Sequence, residues 1–198
     1  MERLSIYISD RMVLKGIISE SDKPDYCYSV QLLLEKIAGL TLILISAACF
    51  HMLVQIIAFL VVFISIRRFS DGFHCQTTVG CLCASVLMCL STGITAPLMT
   101  SSSAMCIGTI VVSMAVIFAI ATFNDPDMEL TIEELSHLKK KSRITVLITG
   151  GLIMIIELIF PGEEIVSYMA LGVIYNALSI LIAILKGRRN QSDDYEEI

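Results

Sequence analysis

Charge is scarce in this chain. Charged residues are 17% of its 198 positions, against about a quarter in an average soluble domain. Apolar residues make up 56% and mean hydropathy is +0.80. They are gathered into blocks whose length is that of membrane-spanning helices. An uninterrupted apolar leader is also missing. Residues 1–20 contain Arg3, Asp10, Arg11, Lys15 and Glu20, so no cleavable signal peptide is expected and the spans themselves should direct insertion. There is no excess of positive charge. The formal net charge is −5, drawn partly from residues 125–134 and the tail 192–198, and no nucleic-acid partner is expected. The seven cysteines are odd in number and fall mostly inside apolar blocks, which is not the pattern of a disulfide framework. Internal repeats and low-complexity tracts are absent as well.

The apolar blocks predict an all-α integral membrane protein with six transmembrane helices behind an N-terminal amphipathic helix. Residues 3–19 interleave Leu4, Tyr7, Ile8, Met12, Leu14, Ile17 and Ile18 with Arg3, Ser5, Ser9, Asp10, Arg11 and Lys15. That pattern suits either a helix lying in the membrane interface or an ordinary helix packed on the rest of the protein. Residues 21–25 (Ser-Asp-Lys-Pro-Asp) should break it. The stretch 30–66 is too long for one span and slightly short for two. It is read as spans 30–49 and 52–66, turning near His51. A third span covers 79–98, ending at Pro97; a fourth covers 104–123. A polar loop follows, with a short helix over 131–141. The fifth span is 144–160 and the sixth 165–185. The layout is one domain: an amphipathic segment 1–29, a six-span core 30–189 and an acidic tail 190–198.

Basic residues test the count. They cluster in 3–36, at Arg67-Arg68, in 139–143 and in 186–189, while the connections near 50, 99–103 and 161–164 carry none. Six spans place every basic cluster on one side, and the positive-inside rule makes that side the cytoplasm. Five spans would split them. Both termini are therefore expected in the cytoplasm.

Polar groups placed among apolar blocks need a reason. Arg67-Arg68-Phe69-Ser70-Asp71-Gly72-Phe73-His74 leads, after six residues, to Cys81, with Cys83 beyond. An imidazole can take the proton of a thiol and leave a nucleophilic thiolate, and its ordinary pKa of about 6.5 suits that exchange. Seven residues of straight helix rise about 10.5 Å, too far for a shared proton. A Cys–His dyad therefore requires the segment between Gly72 and Gly80 to bend, and the glycines and the β-branched run Thr77-Thr78-Val79 allow it. The same pair also admits a reading without chemistry, with His74 at the interface and Cys81 as a small packing residue. Cys81, Ser85, Met88, Cys89 and Thr92 recur at helical spacing, as small residues do at helix–helix contacts in membranes; a homodimer is one partner such a stripe allows. His74, Cys75, Cys81 and Cys83 are soft ligands, but they contain no CxxC pair, and no metal and no cofactor is expected. Arg67 and Arg68 can mark the end of a span, engage a peptide carboxylate or carbonyl, or do both. Asp71 either orients His74 or pairs with an arginine. Glu157 is an acid inside a span, a functional candidate by position, yet close enough to the outer end to reach the interface. It would serve, with His51 and Gln55, in the competing reading of a non-catalytic small membrane transporter or export component.

The junction Arg67-Arg68, Gly72, His74 and Cys81 resembles the accessory gene regulator B (AgrB) family of bacterial membrane cysteine endopeptidases. The order of segments is similar too: an amphipathic start, the Arg-Arg…Gly-x-His…Cys junction, a loop with Asn124-Asp125-Pro126-Asp127 running into Lys139-Lys140-Lys141-Ser142-Arg143, and two final spans. Cys75 after the histidine and the Asn-Asp-Pro-Asp loop depart from the family's pattern. The resemblance implies a multi-pass protein of the bacterial cell membrane, in contact with membrane lipid, whose active site lies at the cytoplasmic face. Cys81 would be the nucleophile and His74 the base, supported by Arg67, Arg68, Asp71 and Gly72. The implied substrate is an AgrD-like pro-peptide, cleaved through an acyl-thioester and closed to a thiolactone or lactone quorum-sensing signal.

Thiol labelling in sealed cells checks the topology. Residue 81 should react with reagents that reach the cytoplasm and be silent to impermeant ones; labelling from outside alone would reverse the orientation.

Overall fold

A computed structural model describes residues 2–70, 78–121 and 132–196. These form seven helices: α1 (Glu2–Leu14), α2 (Lys23–Cys49), α3 (Leu53–Ser70), α4 (Thr78–Thr100), α5 (Ser103–Ile120), α6 (Ile132–Ile159) and α7 (Glu164–Glu196). Six of them, α2 to α7, are long and apolar enough to cross a membrane, and no strand occurs among the described residues. The expected all-α, six-span architecture is present.

Local chemistry sets the turns. α1 stops two residues before Gly16, whose φ is +66°. The amide of Gly16 bonds Val13 O at 2.8 Å and that of Ile17 bonds Met12 O at 3.0 Å, the paired closure that ends a helix at a left-handed residue. The helix is therefore shorter than the amphipathic pattern over 3–19 suggests, because Gly16 supplies a stop within it. The same closure ends α2: His51 (φ +57°) bonds Ala48 O at 3.2 Å, and Met52 bonds Ala47 O at 2.9 Å. The turn expected at His51 is there. α2 begins at Lys23 with Pro24 in its first turn, where a missing N–H costs nothing. The helix of the first span thus starts inside the segment 1–29. Ser102 caps α5 by accepting from the Met105 amide at 3.4 Å.

Two boundaries fall elsewhere than the sequence suggests. α4 passes through Pro97 and ends at Thr100, with Ser101 N bonded to Pro97 O at 3.1 Å. A proline removes one helical bond without ending a helix that is supported on both sides. The short helix and the fifth span are one helix, α6, since Lys141-Ser142-Arg143 holds no glycine or proline to separate them. At the other terminus the backbone stays helical to Glu196, into the acidic tail.

The pair α3 and α7 forms the centre, with the most extensive contact between any two helices described. One apolar cluster joins Val62 and Ile66 of α3 and Val173 and Ile180 of α7 to Ile110 and Ile117 of α5 and Val146 and Ile153 of α6. A second joins Ile56 and Phe59 of α3 and Tyr168 and Leu171 of α7 to Ala47 of α2 and Cys89 and Ala96 of α4. Cys89, from the small-residue stripe, and the fully buried Thr92 beside it are therefore spent on packing within the chain. Large apolar residues point outward, as a lipid-facing surface requires: Val54, Ile57, Val61 and Ile64 on α3, Leu152, Ile155 and Leu158 on α6. α1 shows the same inversion. It packs on α2 with Ser5 and Ser9 buried and leaves Leu4, Tyr7 and Leu14 exposed, and a Lys23–Asp10 ion pair at 2.8 Å ties the two helices.

Hydrocarbon gives helices no hydrophobic reason to associate, so small residues and interhelical hydrogen bonds must hold them. Gly172 is such a residue: a Cβ there would lie 2.9 Å from Val62 Cγ1 and 3.0 Å from the Phe59 carbonyl oxygen. Gly172→Val should destabilise the bundle by about 1–3 kcal/mol, read as a lower melting temperature in detergent. Gly151→Ala, where nothing lies within 4 Å, should leave it unchanged; equal stability of both variants with the parent would show that α3 and α7 do not meet this closely.

Candidate active site

The bundle has two chemically distinct ends, fixed by contacts between helices. At one end lie the α2–α3 turn, the α4–α5 turn and the α6–α7 turn. Tyr168 donates to Met52 Sδ at 3.2 Å, and Thr100 donates to Ser167 Oγ at 3.0 Å. Glu157 belongs here. It is 1% exposed, and its Oε1 accepts from the Gly162 amide at 3.2 Å, while Oε2 has no hydrogen-bond partner. Its carboxyl therefore turns inward onto the α6–α7 turn and does not reach the interface. Gly162 itself has φ +77° and approaches Thr100 O, which explains the tight turn Glu157 braces.

The opposite end holds the last turns of α3 and α5 and the first of α6. Arg143 of α6 donates through Nε to Phe118 O at 3.1 Å and places its guanidinium over the Phe118 ring at 5.2 Å. Ser142 donates to Ala121 O, where α5 ends with φ +64°. A cation and a hydroxyl from one helix thus cap the carbonyl end of another. Arg143 is held by this cap, while Lys140 and Lys141 of the same basic run are exposed.

Arg67 and Arg68 occupy the last turn of α3 at this same end. They diverge. Arg68 lies over the ring of Phe69 at 5.6 Å. Arg67 is directed across to α7, where its Nη1 donates to Ser179 Oγ. Ser70 is buried and donates to Ile66 O at 3.1 Å, closing the helix on itself. Beyond it the chain enters residues 71–77 and re-emerges at Thr78 in α4. Asp71, Gly72 and His74 lie outside the described residues, as do the side chain of Cys81 and the question of its distance to the imidazole. The backbone of Cys81 is in the first described turn of α4. That turn packs beside α2, with Leu82 Cδ2 3.7 Å from where a Cβ on Gly39 would stand. The end of α3 and the start of α4 therefore bracket the His74–Cys81 junction at the basic end of the bundle. Cys83, a soft-ligand candidate, is exposed. Among the described residues no group of three His, Cys, Asp or Glu side chains comes close enough to hold a metal ion.

Sequence reasoning missed Ser142, Ser179 and Asn176. Serines inside apolar helices carry no spacing signal of their own. Asn176, an uncharged amide in the middle of α7, is the most polar side chain in that span between Glu164 and Lys186, and that alone was a signal. It is fully buried, with Nδ2 donating to Phe63 O at 3.0 Å and Gly172 O at 2.8 Å.

No match was found among curated proteins or among solved structures. A family model described as accessory gene regulator B, AgrB, matches residues 2–183. That range takes in five spans, nearly all of the sixth and the Arg67–Cys81 junction, and the chain belongs to the accessory gene regulator B family.

Proposed function

We propose that the chain is a membrane cysteine endopeptidase that matures an AgrD-like pro-peptide. Membership in the AgrB family supports a role in quorum-sensing peptide processing, and the six apolar helices are consistent with a multi-pass membrane protein. The observation that supports the finer reading is where the flanking helices end. Arg67 and Arg68 lie in the last turn of α3, Cys81 falls in the first turn of α4, and both helix ends lie where the chain gathers its basic residues. By the positive-inside rule that end faces the cytoplasm, where a newly made peptide is available.

In this reading His74 takes the proton of the Cys81 thiol. The thiolate attacks a carbonyl in the C-terminal part of the pro-peptide; the C–S bond forms, the C–N bond breaks, and the proton on His74 passes to the leaving amine. The N-terminal part remains as a thioester on Cys81. A thiol or hydroxyl within that part then attacks the thioester, closes a thiolactone or lactone, and returns the proton and the free thiol to Cys81. Exchange of one thioester for another is nearly balanced in energy, so ring closure competes well where water is limited, as at the face of a membrane. Arg67 and Arg68 would bind carboxylate or carbonyl groups of the peptide, and Lys139 to Lys141 would attract an acidic tail. Asp71 and Gly72 would support the histidine and the bend.

Reconstitution with an AgrD-type pro-peptide tests this. Cys81→Ala should lower cleavage by at least about 10³-fold, and His74→Ala by roughly 10²–10⁴-fold, both at normal membrane levels. Full cleavage by Cys81→Ala would end the reading of Cys81 as nucleophile, and absence of cleavage by the intact chain would favour a non-catalytic transporter. Arg67→Ala should weaken processing about tenfold or more, the cost of one hydrogen bond to a charged group; unchanged processing would leave Arg67 a residue of topology alone.

A further inference from the structure

α3 and α7 run in the same direction, and their facing residues meet level by level. On α3 the positions are Phe59, Phe63 and Arg67; on α7 they are Gly172, Asn176 and Ser179. Spacings of three and four keep each set on one helical face. Gly172 lets the backbones close in against Phe59 O. One turn further, Asn176 Nδ2 reaches Phe63 O at 3.0 Å. In an α-helix that carbonyl also accepts the amide of the residue four positions on, which is Arg67. The next level is Arg67 itself, whose Nη1 donates to Ser179 Oγ. So α7 holds both the turn that carries Arg67 and the guanidinium at its tip. Ser179 is uncharged, so this bond orients Nη1 of the guanidinium without itself adding a counter-charge.

We propose that Ser179, with Asn176 behind it, is a positioning residue for Arg67 in binding the pro-peptide. It rests on the reading that Arg67 engages the substrate. A guanidinium on a long flexible stem loses much rotamer freedom when it binds, and a partner that already fixes it removes part of that loss. The final span would thereby contribute to substrate recognition through a residue that touches no substrate. Asn176 supplies the rigidity: fully buried, its amide bonds two carbonyls on two helices, and breaking either bond leaves a buried group unsatisfied.

The test is a binding cycle in the full chain, reconstituted in lipid vesicles with Cys81→Ala so that no cleavage occurs. The probe is a fluorescent synthetic AgrD-type peptide with an amphipathic leader and an acidic C-terminal tail. Ser179→Ala should weaken its binding about five- to tenfold, and Ser179→Thr, which keeps the hydroxyl, should restore it. Arg67→Ala should weaken binding at least as much, and Ser179→Ala should add nothing to it. Parental binding by Ser179→Ala would overturn the proposal. So would a Ser179→Ala loss that persists in full on top of Arg67→Ala, because the serine would then act through general packing. Absence of binding by the Cys81→Ala parent would overturn it as well. Failure of the peptidase reading shows separately, as absence of cleavage by the chain with Cys81 intact.

Discussion

Every element of this protein depends on how closely α3 and α7 approach. In water the two apolar faces would be driven together; in hydrocarbon they are not. What remains is contact and hydrogen bonding. A glycine on α7 lets the backbones meet, and an amide one turn away ties them at Phe63. α5 and α6 then pack on one side of the pair and α2 and α4 on the other. α2 is the most peripheral of the spans, with little of its apolar stretch buried, and it carries α1 on its first turns.

That central pair also determines where chemistry can happen. α3 delivers Arg67 and Arg68 to one end of the bundle. α4 starts again at that end, and the residues proposed for catalysis lie on the way. At the opposite end, hydrogen bonds within the chain brace the turns: Thr100 to Ser167 and the Gly162 amide to Glu157. The two ends thus differ in kind. One is cationic and lies where α3 ends and α4 begins; the other holds a buried carboxyl that braces a turn through one of its oxygens.

Much of this was legible in the sequence. Block length gave the spans, and the alternation of basic and non-basic connections gave their number, because both follow from the cost of charge in hydrocarbon. The turn at His51 was legible as a weak point in a run too long for one helix. Boundaries set by a single hydrogen-bonded closure were not: Gly16 ends α1 inside a continuing amphipathic pattern, and α6 runs through Lys141-Ser142-Arg143 for want of a breaker. Glu157 was ambiguous because hydropathy gives depth but not the direction of a side chain, and it turns inward. Arg143 read only as one of a cluster of basic residues; its bond to Phe118 O spans 25 positions and depends on α6 packing against the last turn of α5. The contact of Arg67 with Ser179 spans 112 positions and is invisible to any local pattern. His74 and Cys81 are proposed from spacing and chemistry, and their side chains lie outside what the structure describes.

The account stands most directly on the covalent state of Cys81 during turnover. Protein mixed with pro-peptide and quenched in acid within the first turnovers should yield, by intact-mass and peptide mass spectrometry, an adduct of the N-terminal part of the peptide on Cys81 that hydroxylamine removes. Continued cleavage with Cys81 unmodified at every time sampled would contradict it.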